Sequence, residues 1–241
     1  MSAIATVDAD PHRVAQAAAE GGVVALAIPL EGPGELVEFL GEIGALMFTD
    51  GETPAPGHPD LNVVTNKGRT RPPRSVFHSD TTYVARPPSY SALIAIEVPE
   101  AGGATLFTDQ YAAFDTLAQN LKTALIGATI LHGPTDVPET EAVWHPLVRQ
   151  NPVTGRNALF LTALARCRRL VLADGTDRSD LIPVLYEHST KGPVRRHAWA
   201  PGDVVVWDNR CTLHAADHSA VVGTRTLYRG LVRGEVPLMG D

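Results

Sequence analysis

The stretch GDVVVWDNRCTLHA (residues 202–215) holds two β-type runs, one of three consecutive valines, either side of a tight Asp-Asn turn. It reads as two strands, and a third follows in GTRTLYRGLV (223–232). Three successive strands close the chain and favour an all-β core. The first pair places His214 on a strand just after the turn. The third carries Arg225 and Arg229, four residues apart and on one face of the strand. Two inward guanidiniums are costly to bury unless an anion receives them.

Working outward, more strands appear. SALIAIEVP (91–99) and ATLFTD (104–109) are β-type runs separated by a Glu-Ala-Gly-Gly turn, and VVALAIPL (23–30), LNVVTN (61–66) and ALFLTAL (158–164) add three more. Helical spacing is expected over 11–20, 34–46 and 111–125, and over 179–189 with Ser179 as a serine cap. TDGETPAPGHPD (49–60) and KGRTRPPRS (67–75) read as loops. Strands outnumber helices, so the expectation is mainly β with flanking helices: a sandwich or barrel decorated between strands. No linker divides the chain, and one domain over 1–241 is expected.

With 44% hydrophobic and 20% charged residues the composition is that of an ordinary globular protein. A net charge of −7 argues against a nucleic-acid partner. No apolar run approaches a membrane span, and the opening residues lack a basic-then-apolar signal pattern. The two cysteines, Cys167 and Cys211, form no disulfide framework. A cytoplasmic protein with a small-molecule substrate is expected, and homo-oligomer formation is left open.

VFHSDTTY (76–83) supplies the remaining chemistry. His78 and Asp80 sit two residues apart in a β-prone run, where side chains at that step share a face. Together with His214 they make two imidazoles and one carboxylate, the ligand set of non-haem Fe(II) sites that leave positions open for substrate and dioxygen. Arg225, eleven residues after His214, is placed to hold the far carboxylate of a metal-chelating dicarboxylate.

These features occur in the order H-x-D, Gly-Gly-x-Thr (GGAT, 102–105), W-D-N-R-x-T-x-H (207–214) and the arginine eleven residues on. WHPLVRQNPVTGRNALFL (144–161) lies between them and matches H-P-x-V-R-x-x-P-x-T-G-R over residues 145–156. The chain resembles the taurine dioxygenase (TauD/TfdA) family of Fe(II)- and 2-oxoglutarate-dependent dioxygenases over roughly residues 60–235. The resemblance implies a double-stranded β-helix (jelly-roll, cupin-like) core over about 61–235 behind an N-terminal cap of about 1–60. It implies His78, Asp80 and His214 as iron ligands and Thr105 and Arg225 as the grip on 2-oxoglutarate. The implied reaction consumes O2, releases succinate and CO2, and hydroxylates the substrate. Halogenating relatives carry a small residue in place of the carboxylate ligand, so Asp80 favours hydroxylation. Arg229 matches the arginine that meets the acidic group of the substrate in sulfonate-using members.

Rival placements exist for both ligand motifs. His58 and Asp60 form a second H-x-D, in a Pro/Gly loop with no glycine turn at the family distance. His218 also precedes an arginine, Arg229, by eleven residues, but in a hairpin-turn sequence. His145, Arg156 and Cys211 read as scaffold. Arg69, Arg71 and Arg74 read as a solvated loop, or as a lid meeting an anionic substrate, and Tyr83 as a pocket wall. Taurine-using members carry asparagine at the position of Arg74, which argues against taurine itself. Two other classes fit parts of the pattern: a zinc hydrolase, which needs a positioned glutamate that the neighbourhood of the ligands does not offer, and a non-catalytic 2-oxoglutarate sensor.

Overall fold

The computed structural model describes residues 3–68, 75–134 and 136–241. Its largest sheet has eight strands, in the order Ala5–Val7, Val23–Leu26, Val204–Asp208, Pro88–Glu97, Thr226–Arg233, His58–Thr65 and Pro54–Ala55, with Leu46–Met47 added on Thr226–Arg233. A smaller sheet of three strands, Val194–His197, Thr105–Asp109 and Thr212–Ala216, is antiparallel throughout. The two sheets face each other as a jelly roll.

Residue alternation explains the layering. Strand Pro88–Glu97 is buried on both faces for eight of its ten residues. Tyr90, Ala92 and Ile94 meet the helices Pro11–Gly21 and Pro33–Ile43, through Val14, Ala18, Leu36 and Leu40. Leu93 and Ala95 point the other way, joining Val205, Trp207 and Leu227 against Phe107 and Trp199 of the smaller sheet's side. A strand covered on both faces reads as a continuous apolar run, and this one does. Ser89 and Ser91 are the polar exceptions on the inter-sheet face.

A third cluster fills the insertion between residues 113 and 186, where Leu125, Ile130, Leu161, Leu170 and Leu185 are all fully buried. Two three-stranded sheets build it, one of Cys167–Val171, Thr129–His132 and Val143–Pro146, the other of Asn157–Leu159, Val148–Gln150 and Leu238–Met239.

Several local expectations are corrected. The first 60 residues form more than a cap, because Ala5–Val7 and Val23–Leu26 are strands of the main sheet. The 34–46 helix ends at Ile43, freeing Leu46–Met47 to pair with Leu231 and Val232. The 111–125 helix is two, Gln110–Asp115 and Gln119–Leu125. Ser179 caps no α-helix: its hydroxyl donates to Asp177 and accepts from the Leu170 amide, while helix Ile182–Lys191 has Pro183 in its first turn and no side-chain cap. The loop at 49–60 contains a hairpin, so His58 and Asp60 begin a strand.

Candidate active site

The segment 76–83 is not a strand. His78 makes a single bridge to His214, with both backbone bonds at 2.9 Å, and the chain then turns. Thr81 takes φ +45°, the left-handed region that a β-branched residue rarely enters. Its hydroxyl meets that of Thr49 at 3.0 Å. The bridge fixes His78 beside His214, and the turn swings Asp80 inward. The convergence expected from strand alternation is reached by a different local geometry.

His214 lies on the smaller sheet opposite Phe107, and Trp207 of the main sheet packs on its ring at 4.6 Å between centroids. The His78 and His214 rings are 4.2 Å apart. His78 Nε2 and His214 Nε2 each lie 3.8 Å from an Asp80 oxygen. These three side chains are the group of His, Cys, Asp or Glu among the described residues whose ligand atoms all fall within 4.8 Å. His58, Asp60 and His218 are outside it.

The donor set fits a divalent cation on three counts. His78 Nδ1 is 2.9 Å from the Val76 carbonyl, which fixes that nitrogen as the N–H and leaves the Nε2 lone pair directed at the site. His214 is buried with its Nδ1 unpartnered, and burial beside His78 pushes its imidazole down to about 3, so the ring is neutral near pH 7. Burial pushes the Asp80 carboxyl up, but the Arg229 guanidinium and the Ser91 hydroxyl outweigh it and hold the acid below the ordinary carboxylate range.

Asp80 is held from behind by a relay across the main sheet. Trp207 Nε1 donates to Asn209 Oδ1 (3.1 Å), Asn209 Nδ2 to Ser91 Oγ (2.6 Å), and Ser91 Oγ to Asp80 Oδ2 (2.8 Å). The Trp-Asp-Asn-Arg turn is thus a bracket for the carboxylate. Asp208 takes a forked contact from Arg210 and a 2.9 Å bond from Asn151, which ties the 144–161 segment to the turn. His145 serves as scaffold, bonding the Thr82 carbonyl at 2.7 Å.

Next to the triad is a cation cradle. Arg225 is 2% exposed; its Nε donates to the Gly103 carbonyl (2.7 Å) and its Nη2 to Thr105 Oγ1 (3.2 Å). No acidic side chain among the described residues pairs with it, and burial pushes it down to about 10. Gly102 and Gly103 have φ +71° and +73°, and a Cβ on Gly103 would come within 3.0 Å of Arg225 Cδ. The glycine pair is therefore what lets the guanidinium approach. Thr105 Oγ1 also accepts from Trp199 Nε1 at 3.0 Å, so its own proton is left to donate to an incoming acceptor.

A cavity of about 970 Å³ opens over His78 and Asp80, lined also by Glu52, Tyr83, Arg166, Tyr186, Thr190 and Arg229. Tyr83 is where the sequence placed it. Arg74, with the rest of the 69–74 loop, lies outside the described residues. Arg229 is brought to the site, but against Asp80 and Glu52. Ser91, Trp199, Glu52 and Arg166 were missed by sequence reasoning. Ser91 left a weak signal, as one of two serines in the buried stretch of a mostly apolar strand.

Two imidazoles and one carboxylate converge on a jelly roll, an arrangement that could hold one divalent cation. The chain belongs to the taurine catabolism dioxygenase TauD, TfdA family, whose model matches residues 4–231. It is 36% identical over 170 residues to the alpha-ketoglutarate-dependent 2,4-dichlorophenoxyacetate dioxygenase of Cupriavidus pinatubonensis, covering 64% of this chain and 58% of that one. It is 28% identical over 209 residues to the alpha-ketoglutarate-dependent sulfonate dioxygenase of Saccharomyces cerevisiae, covering 77% and 50% respectively. The chain spans about half the length of the curated relatives it matches. Among solved structures it is similar to a taurine dioxygenase from Burkholderia xenovorans, with 28% identity, a TM-score of 0.81 and coverage of 99% of this chain and 91% of that one. No helix of the described residues is long and apolar enough to cross a membrane.

Proposed function

We propose that the protein is an Fe(II)- and 2-oxoglutarate-dependent dioxygenase that hydroxylates a small anionic substrate. His78, Asp80 and His214 would hold the iron. The bound iron, with 2-oxoglutarate and O2, supplies oxidative decarboxylation to succinate and CO2 coupled to hydroxylation of a substrate C–H bond.

The observation that carries the reading is Arg225: a buried guanidinium with no acidic partner among the described residues, sharing Thr105 with Trp199 beside the metal triad. A buried cation without a counter-charge is costly, and the distal carboxylate of 2-oxoglutarate would neutralise it with a forked, charge-assisted contact. Thr105 donates its hydroxyl proton to the same carboxylate. Trp207, Asn209 and Ser91 keep Asp80 oriented, and the Val76 carbonyl keeps His78 in the tautomer that offers Nε2. A zinc hydrolase using the same three ligands would leave the Arg225 cradle without a task.

Anaerobic titration of the metal-free protein with Fe(II) and 2-oxoglutarate tests the reading. A visible metal-to-ligand charge-transfer band is expected, absent in Asp80→Ala and weakened in Arg225→Ala, with succinate formed once O2 and substrate are admitted. Fe(II) binding without a band would overturn it. A band with no succinate for any substrate would favour a sensor.

A further inference from the structure

Two arginines line the cavity among the described residues, and they differ in one respect. Arg229 is already paired: Nη1 donates to Asp80 at 2.5 Å, Nε to Asn62 at 3.0 Å, and Nη2 lies 3.5 Å from Glu52. Its charge faces two carboxylates. A substrate anion would have to displace Glu52 to reach it, and would meet Glu52's own negative charge on the way.

Arg166 has no such neighbours. It ends the short 3₁₀ turn Leu164–Arg166, which is held by the Arg166 amide on the Ala163 carbonyl (2.7 Å) and by the Gly133 amide on the Arg166 carbonyl (3.1 Å). The guanidinium makes no hydrogen bond or ion pair with any described residue; it rests over the Tyr83 ring, 5.5 Å from the centroid. Burial pushes the Tyr83 phenol up, Arg166 opposes that and Glu52 reinforces it, so both charges act on one phenol inside the same cavity. The half-buried cation is pre-positioned by its backbone and by the aromatic face beneath it, and it has spare donors.

We propose that Arg166, over Tyr83, receives the anionic group of the substrate, and that Glu52 closes Arg229 to that role. The proposal rests on the dioxygenase reading above. It assigns Arg229 to positioning Asp80, in place of the substrate contact expected from the sequence. It also gives the cavity a polarity: a carboxylate or sulfonate belongs at the Arg166 side, and a second anionic group is rejected by Glu52.

The test uses the anaerobic protein loaded with Fe(II) and 2-oxoglutarate, titrated with 2,4-dichlorophenoxyacetate, 1-butanesulfonate and the neutral 2,4-dichlorophenoxyacetamide. Displacement of the visible band reports each Kd. At least one anion is expected to bind about tenfold or more tightly than the amide. Arg166→Gln is expected to raise that anion's Kd at least about tenfold, with Arg166→Lys recovering part of the loss. The Kd values for the amide and for 2-oxoglutarate should stay within about twofold, which also shows that the variant is folded. Glu52→Gln should tighten anion binding. The proposal is overturned if Arg166→Gln leaves the anion's Kd unchanged, or if neither anion is preferred to the amide. Absence of the band in the unaltered protein is a different result, and removes the 2-oxoglutarate reading itself.

Discussion

Arg229 Nη1 lies 2.5 Å from Asp80 Oδ1, and Ser91 holds the other Asp80 oxygen at 2.8 Å. Both carboxylate oxygens are therefore committed to donors, from strands Thr226–Arg233 and Pro88–Glu97 of the main sheet. Burial pushes the Asp80 acid up, and the Arg229 guanidinium is the largest of the influences that push it down. Arg229→Gln should accordingly raise the Asp80 pKa, so that protons compete with metal at higher pH. Mn(II) affinity is expected to fall about 10- to 100-fold, the usual range for losing a partner of a metal ligand, and to fall further between pH 7 and pH 5. Isothermal titration at two pH values would show it; equal affinity at both, matching the unaltered protein, would exclude the role.

Arg225→Gln should weaken 2-oxoglutarate binding at least about 30-fold while leaving Mn(II) binding within about twofold, because truncating one side of a buried charge pair removes about 2–5 kcal/mol. Thr105→Val removes one hydroxyl from the same cradle, and a smaller loss of roughly tenfold is expected. Parallel losses of metal and 2-oxoglutarate affinity would mean that the variants had damaged the fold.

Gly103→Ala places a methyl within 3.0 Å of Arg225 Cδ and 2.9 Å of Pro99 Cγ at φ +73°. Such a substitution should cost about 1–2 kcal/mol of stability and also raise the KM for 2-oxoglutarate, since the side chain it crowds is the guanidinium stem. Denaturant midpoints give the first quantity and succinate formation the second. A stability loss with no change in KM would place the glycine outside the cradle.

His132 and His145 are buried beside Phe160, with ring centroids 5.5 Å apart in each pair. Burial pushes His145 from 6.5 down to about 4, against the bond to Thr82, and it pushes His132 well down, with His145 adding to it. The unfolded chain therefore binds more protons between those two values, so stability rises with pH across that window and is lost on acidification from 6.5 towards 4. The slope is at most about 1.4 kcal/mol per pH unit for each histidine. His132→Phe should flatten it, as read from urea midpoints at pH 7 and pH 4.5; an unchanged slope would mean that other groups control acid stability.

The convergence of His78, Asp80 and His214 was legible because its information is local: an H-x-D step, a turn and a fixed spacing to two arginines. Thr105 and Arg225 were legible for the same reason, through the Gly-Gly turn that their approach requires. The strand assigned to 76–83 was misread because β-propensity cannot see that Thr81 is held in a left-handed turn by Thr49, 32 residues away. Glu52 and Arg166 were invisible for a related reason. Each sits in an unremarkable loop sequence, and only the closed topology puts Glu52 beside Arg229 and Arg166 over Tyr83. Arg229 was recognised, but its partners were not, since an arginine's spacing says nothing about which carboxylate neutralises it.

The origin of the cavity walls has an evolutionary consequence. His214, Thr105, Ser91 and Arg229 are all strand residues of the two facing sheets, locked by inter-strand pairing. Glu52, Tyr83, Arg166 and Tyr186 come instead from connections and from the insertion, and they touch the sheets only at the rim. Drift in these outer segments can redraw the cavity wall while the His78, Asp80 and His214 cluster stays in place, so ligand preference can change without rebuilding the cluster.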